Sequence, residues 1–166
     1  LIPAFNEEDT IVRTIENIST SFEGIDQVSM LVVDDGSTDA TPLLAEKAGA
    51  VVISHTRNRG VGSAFHTAVQ YALENQADIL VGIDADGQFD PNEIPALIAP
   101  ILSREADMVI GNRFSNGIPE HMPRIKYHGN RIVARLVNSI AGLSLADVSC
   151  GFRAYDVEAL LRLNIY

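Results

Sequence analysis

Two aspartates one residue apart, Asp84-Ala85-Asp86, stand with Gly87-Gln88 directly after the apolar run Ile79 to Ile83. Alternate residues leaving a strand project in different directions, and the turn that follows lets Asp86 and Gln88 converge. Hard oxygen donors of this kind suit Mg²⁺ or Mn²⁺, with diphosphate oxygens and water completing the shell. A turn in which the aspartates only bond backbone amides would use the same residues. Two more polar clusters follow apolar runs: Asn6-Glu7-Glu8 after Leu1-Ile2, and Asp34-Asp35-Gly36-Ser37 after Val28 to Val33. Carboxylates gathered at one rim of a sheet repel one another, so a positive group is expected among them.

The neighbours of these clusters divide between folding and chemistry. Pro3 ends a strand, Asn6 to Asp9 favour the positive start of a helix, and Phe5 could border a nucleobase. Ser37, Thr38 or Asp39 can cap a helix start. An aspartate at that strand end can also accept hydrogen bonds from a base or ribose. The stretch Asn58-Arg59-Gly60-Val61-Gly62-Ser63 looks like a phosphate-binding glycine loop, yet it has neither the third glycine of the dinucleotide fingerprint nor the Gly-Lys-Ser/Thr of a P-loop. We reject the dinucleotide assignment and keep Arg57, Asn58 and Gly60 as candidate walls of a nucleotide pocket. Arg113 is a candidate partner for phosphate or a departing diphosphate, with a salt bridge to one of the many acids as the alternative. Asp147 could serve as a general base or could orient a basic residue. Cys150 reads as a small core residue.

Holding these residues in place requires strands alternating with helices. β-Branched runs predict strands at Val28 to Val33, Val51 to Ser54, Ile79 to Asp84 (buried on both faces), Met108 to Gly111 and Gly151 to Tyr155. Apolar spacing predicts helices at Thr10 to Ser21, Ala40 to Ala48, Gly60 to Asn75 and Glu93 to Ser103. The pattern indicates an α/β fold, one domain over residues 1–166, with a largely parallel sheet flanked by helices. Ligands in such sheets bind at the carboxyl ends of the strands, where the polar clusters fall.

Composition bounds the rest. Of 166 residues 46% are apolar and 20% charged, which is ordinary for a globular domain. A formal charge of −10 argues against nucleic acid as a partner. A single cysteine excludes an internal disulfide and a thiolate zinc cluster, and suits a reducing, cytoplasmic setting. No run of about 18 apolar residues could span a bilayer. The chain opens without Met inside a strand and closes at Tyr166 without a helix stop signal, so a piece of a longer protein is expected. Between His121 and Ala146 there is no Asp or Glu, although the chain holds 22 acids. Here Pro123 to Ala141 predicts an amphipathic helix. Its Arg124, Arg131 and Arg135 lie within about 40° of one another, opposite Ile132, Val133, Leu136 and Ile140. Either the apolar face packs on the sheet and the basic face is solvated, or the helix meets anionic headgroups or a phosphorylated lipid at a membrane surface.

Taken in order, the motifs resemble family 2 glycosyltransferases of the GT-A fold, most closely the dolichyl- or polyprenyl-phosphate sugar synthases. The residues that carry the resemblance are Ile2-Pro3-Ala4-Phe5-Asn6-Glu7, Val33 to Asp39, Asn58-Arg59-Gly60, Asp84 to Gln88, Gly111-Asn112-Arg113 and Ser149 to Arg153, spread over essentially the whole chain. The resemblance implies a metal-dependent, inverting transfer of a sugar from a UDP- or GDP-sugar to a lipid phosphate. Pro3, Phe5, Glu7 and Asp35 would border base and ribose, with Ala4, Asn58, Gly60 and Ala85 in the same donor site. Asp84 would contact the nucleotide, Asp86 and Gln88 would hold the cation, and Arg113 would sit near phosphate. Lys126 and Asn130, or Arg124 and Arg131, would meet the acceptor phosphate. The enzyme would work at the cytoplasmic face of a membrane. A saccharide hydroxyl is the alternative acceptor, and Asp147 would then be the base. The Q/R-x-x-R-W element of processive synthases is absent from this sequence. A nucleotidyltransferase should open with a basic glycine-rich loop where Pro3 to Glu8 stands, and a non-catalytic binding domain should lack Asp86 and Gln88.

Overall fold

The computed structural model describes residues 1–114, 124–142 and 145–163, without the side chains of 124–126 and 141. Strand β1 (Ile2–Ala4) pairs in parallel with β2 (Leu31–Asp34), and β2 with β3 (Val51–Ser54). On its other side, Leu1 N donates to Val81 O and Ile83 N donates to Leu1 O, which joins β1 to β4 (Ile79–Gly82) in a parallel sense. Pro3 falls on that same side with no N–H to give, so pairing to β4 stops there and the two strand ends part. The cleft described below opens at this point.

Strands β5 (Met108–Ile110) and β6 (Arg153–Asp156) complete the sheet, in the order β3-β2-β1-β4-β6-β5. Strand β6 runs antiparallel between β4 and β5 and pairs with both through Ala154. The sheet is therefore largely parallel, as expected, with one inserted strand that alternation alone does not reveal.

Helices cover both faces. Helices α1 (Ile11–Asn17), α2 (Thr41–Lys47) and α4 (Ile94–Leu102) pack Ile11, Ile15, Ala45, Leu97 and Ile101 into one core with Ile2, Val32 and Phe152. Helix α3 (Val61–Glu74) buries Ala64, Ala68, Val69 and Ala72, a stripe of small residues that brings it close to β2 and β4. Helix α6 (Val157–Arg162), capped by the Asp156 side chain, joins that side; no sequence signal had suggested it. Helix α1 ends at Asn17, short of the Ser21 expected. Cys150 is buried in the core.

Helix α5 (Arg124–Ala141) decides between the two readings of its apolar face, which does not pack on the sheet. Ile132, Val133, Leu136 and Ile140 are all exposed, Ile140 to 78%. The buried face holds Asn130, Ala134 and Asn138 instead. Asn138 clamps Leu145 through both its backbone groups, at 2.9 and 2.8 Å, and Asn130 donates to Asp147 at 2.9 Å. Hydrogen bonds, rather than apolar burial, decide which side faces the body. Among the described residues no helix is long and apolar enough to cross a membrane.

Candidate active site

The parting of β1 and β4 leaves a cleft of about 290 Å³ at the carboxyl rim of the sheet. Pro3, Ala4, Phe5 and Glu7 line it from β1, Asp35 from β2, and Asn58 and Gly60 from the loop before α3. Asp84, Ala85 and Asp86 line it from β4. The structure thus gathers around one space the residues the sequence proposes for a nucleotide sugar. Val61 and Ala64, at the start of α3, also line the cleft and had drawn no attention. Gln88, Arg113 and Asp147 lie outside this lining.

Two loops that carry the rim are zipped together. Asn6, held at φ 56°, donates its N–H to Ser37 Oγ and accepts from Thr38 N through Oδ1. Glu7 N donates to Thr41 Oγ1, and Glu8 Oε2 accepts from Ala40 N. Capping of α2 is thus shared between loops, with Asp39 accepting from Thr41 N and Glu8 N.

The acidic turn is braced from beneath. Thr14, on α1, donates its hydroxyl to Ala85 O at 3.0 Å in a buried contact. Asp86 Oδ1 accepts from Gln88 N, so the turn role weighed for these aspartates is present alongside any ligand role. Asp84 rests against Gly151, where a Cβ would come within 2.3 Å of its Oδ2; any larger residue would displace the carboxylate. Burial, then the charge of Asp86, push the Asp84 carboxyl above its ordinary range, while Arg113 and Arg153 pull the other way. The pair thus carries anionic charge that its surroundings do not fully offset. Among the described residues no three His, Cys, Asp or Glu side chains form a ready ligand cluster. The acidic pair fits a divalent cation that takes further oxygens from a ligand.

A sign follows for stability. A group whose folded pKa is raised favours the fold below its unfolded value and loses that contribution as pH rises through the folded one. Ionised Asp84 therefore weakens the metal-free protein at neutral pH. Asp84→Asn is expected to raise the metal-free Tm at pH 7. A lower Tm for the variant would contradict this.

Beside the cleft, Arg113 Nε donates to Asp147 Oδ2 at 2.7 Å and Nη2 to Oδ1 at 3.0 Å, with Ser149 Oγ also accepting from Nη2. Of the two readings of Arg113, the salt bridge is what the geometry contains, and its charge still reaches Asp84. Asp147 is fully buried and accepts as well from Asn130 and Ser149 N. Burial would raise its pKa, but the bonds from Arg113 and Asn130 outweigh that and hold it below the carboxylate range. Of the two readings of Asp147, the geometry holds the orienting one: its lone pairs are engaged by Arg113, Asn130 and Ser149, and a carboxylate held below the ordinary range is a weak proton acceptor. Arg153 ties the same loop to β6 through Cys150 O and Val148 O. Arg131 turns to Tyr127, donating to its hydroxyl at 3.0 Å. The side chains of Arg124 and Lys126 lie outside the described residues.

The glycosyl transferase family 2 profile matches residues 1–163 of this chain. The chain belongs to glycosyl transferase family 2. Among relatives of this family 2 domain, a UDP-N-acetylglucosamine–dolichyl-phosphate N-acetylglucosaminyltransferase of Methanococcus voltae is 31% identical, over 99% of this chain and 71% of its own length. An undecaprenyl-phosphate mannosyltransferase of Micrococcus luteus is 30% identical, over 99% and 68%. The crystal structure of glucosyl-3-phosphoglycerate synthase from Mycobacterium tuberculosis, with Mn²⁺, UDP-glucose and glycerol 3-phosphate, superposes with a TM-score of 0.72 at 27% identity. It aligns over 96% of this chain and 56% of its own. The family 2 domain spans between 38% and 72% of the length of the curated relatives it matches.

Proposed function

We propose that this family 2 domain is the catalytic part of an inverting enzyme that moves a sugar from a UDP- or GDP-sugar onto a polyprenyl or dolichyl phosphate. The observation that carries the reading is the cleft between β1 and β4, with the Asp84–Asp86 pair on one wall and Pro3, Phe5 and Asp35 on the other. Asp86 and Gln88 would hold Mg²⁺ or Mn²⁺, which when bound supplies positive charge for the diphosphate, and Asp84 would contact the nucleotide. Phe5 and Pro3 offer flat apolar surface to a base, and Glu7 and Asn58 offer polar groups to the ribose.

An acceptor phosphate oxygen attacks the anomeric carbon from the face opposite the diphosphate. The bond from that carbon to the diphosphate oxygen breaks, and configuration inverts. Arg113, oriented by Asp147 and Ser149, places fixed positive charge beside the developing anion. A phosphate acceptor is already ionised at neutral pH and needs no base. This agrees with an Asp147 whose oxygens are already engaged by Arg113, and weighs against a saccharide hydroxyl acceptor.

The named acceptors of the relatives, dolichyl phosphate and undecaprenyl phosphate, share a phosphate on a long apolar chain. Helix α5 supports that class here. Its outward apolar face is flanked by Arg131 and Arg135, in a stretch without acids on a protein of charge −10. We place this face on the cytoplasmic surface of a membrane. The chain is expected to sediment with vesicles containing anionic lipid, and Leu136→Glu with Ile140→Glu to release it; equal sedimentation of both proteins would refute the placement.

The deciding experiment presents UDP- and GDP-sugars with short polyprenyl phosphates, 3-phosphoglycerate or free saccharides, following nucleotide release and product formation. Transfer to polyprenyl phosphate alone is expected. Transfer to 3-phosphoglycerate would replace the lipid reading, and transfer to a saccharide would overturn the phosphate-acceptor reading.

A further inference from the structure

Behind the cleft lies a polar chain that the transfer reading leaves unused. His55 is nearly buried between Asp35, at the end of β2, and Thr67 on α3. Its Nδ1 sits 2.7 Å from Asp35 Oδ1 and its Nε2 2.9 Å from Thr67 Oγ1. Asp35 takes two further donors from the loop before α3: Arg59 N at 3.0 Å and Gly60 N at 2.7 Å. Burial works against ionisation of Asp35, but the bonds from His55, Arg59 and Gly60 hold its pKa below the ordinary range. An ionised carboxylate accepts only, so His55 carries its proton on Nδ1, and Nε2 is left to accept from the Thr67 hydroxyl when the ring is neutral.

The same loop is fixed from a second side. Gly36 holds φ 80°, and a Cβ there would lie 2.6 Å from the backbone of Arg57. The loop thus lies directly on the Gly36 backbone while Asp35 grips its far end. With its oxygens engaged by four internal contacts and a relative exposure of 5%, Asp35 shapes the wall more than it reads a ligand.

We infer that His55, anchored by Thr67, is a positioning residue that aims the Asp35 carboxylate at Arg59 and Gly60 and so sets the Asn58–Gly60 wall of the donor cleft. The inference rests on the donor-cleft reading above. A group acting in this way changes donor binding more than chemistry, because Asn58 and Gly60 line the cleft whereas Arg113 lies outside its lining. The pairing is also invisible in sequence, since a single His, Asp and Thr at separations of 20 and 12 residues form no motif.

The test compares His55→Leu, His55→Asn and Thr67→Val with the wild type. The readouts are donor KM, acceptor KM, kcat and amide hydrogen exchange at Arg59 and Gly60. His55→Leu is expected to raise donor KM about tenfold, with a smaller effect on kcat and none on acceptor KM, and to speed exchange at both amides. His55→Asn can still donate to Asp35 and is expected to recover most of the donor KM. Thr67→Val, which keeps shape and charge, is expected to shift donor KM in the same direction by about threefold, and decides the matter if His55→Leu does not fold. Unchanged exchange and donor KM in folded variants overturn the inference, as does a parallel loss in all three kinetic constants. A wild-type chain that binds no nucleotide overturns the donor reading instead, and the exchange rates alone then decide the role of His55.

Discussion

Asp86→Ala is expected to lower sugar transfer by about 10²–10³-fold, with folding intact. Asp86 is exposed at the tip of the turn after β4, and its one internal bond within the described residues is from Gln88 N. Little of the fold depends on it. What it would supply is an anionic oxygen facing the cleft, where the diphosphate of the proposed donor would also need a cation. The assay is nucleotide release at saturating Mn²⁺, paired with calorimetric titration of UDP and GDP with and without metal. In the variant the metal-dependent part of diphosphate binding should vanish while the Tm stays within a degree or two. Full activity in Asp86→Ala would sink the metal assignment.

Arg113→Ala should behave in the opposite manner, damaging stability and activity together. Removing the guanidinium leaves Asp147, which is fully buried, without its bidentate partner. Breaking a buried pair from one side costs about 3–5 kcal/mol, because the remaining charge stays desolvated. Urea unfolding at pH 7 measures this directly. The sign of the pH dependence follows from the depressed pKa of Asp147. A group with a depressed folded pKa contributes stability above its unfolded value, near 3.9, and loses it as pH falls through the folded value. The two proteins should therefore converge in stability at strongly acidic pH. A second variant separates structure from chemistry: Arg113→Met combined with Asp147→Asn removes both charges and should regain much of the stability without regaining transfer. If the paired variant restores activity, Arg113 has no electrostatic part in the reaction.

The rim of this site was legible because an α/β sheet leaves few places for polar residues between apolar runs. Phe5 to Glu7, Asp35 and Asp84 to Asp86 each follow a strand, and a parallel sheet carries all such ends to one edge. What sequence could not supply was pairing across distance. Arg113 and Asp147 stand 34 residues apart and could each have chosen among many partners. Thr14, under Ala85, is one more hydroxyl on an amphipathic helix until the turn above it is known. Helix α5 shows the limit of periodicity most plainly. Spacing separates Ile132, Leu136 and Ile140 from Arg131 and Arg135, but it does not say which side meets the body. The amides of Asn130 and Asn138 decide that, and their partners lie in the following loop.

The inserted strand β6 has a consequence for how the protein comes into being. Ile79 pairs with Asp156 and Met108 with Tyr155, so β4 and β5 are joined only through a segment distant in sequence from β4. Loops of such length close slowly, and a nascent chain exposes two unfilled edges while it waits. The glycine against which Asp84 rests and the loop that orients Arg113 travel with that strand. The β1–β2–β3 ladder closes by Ser54, whereas the acidic turn has its backing only with Gly151 in place. The acidic turn and the arginine beside it therefore both depend on one stretch, Asp147 to Asp156, that the β1–β2–β3 ladder does without.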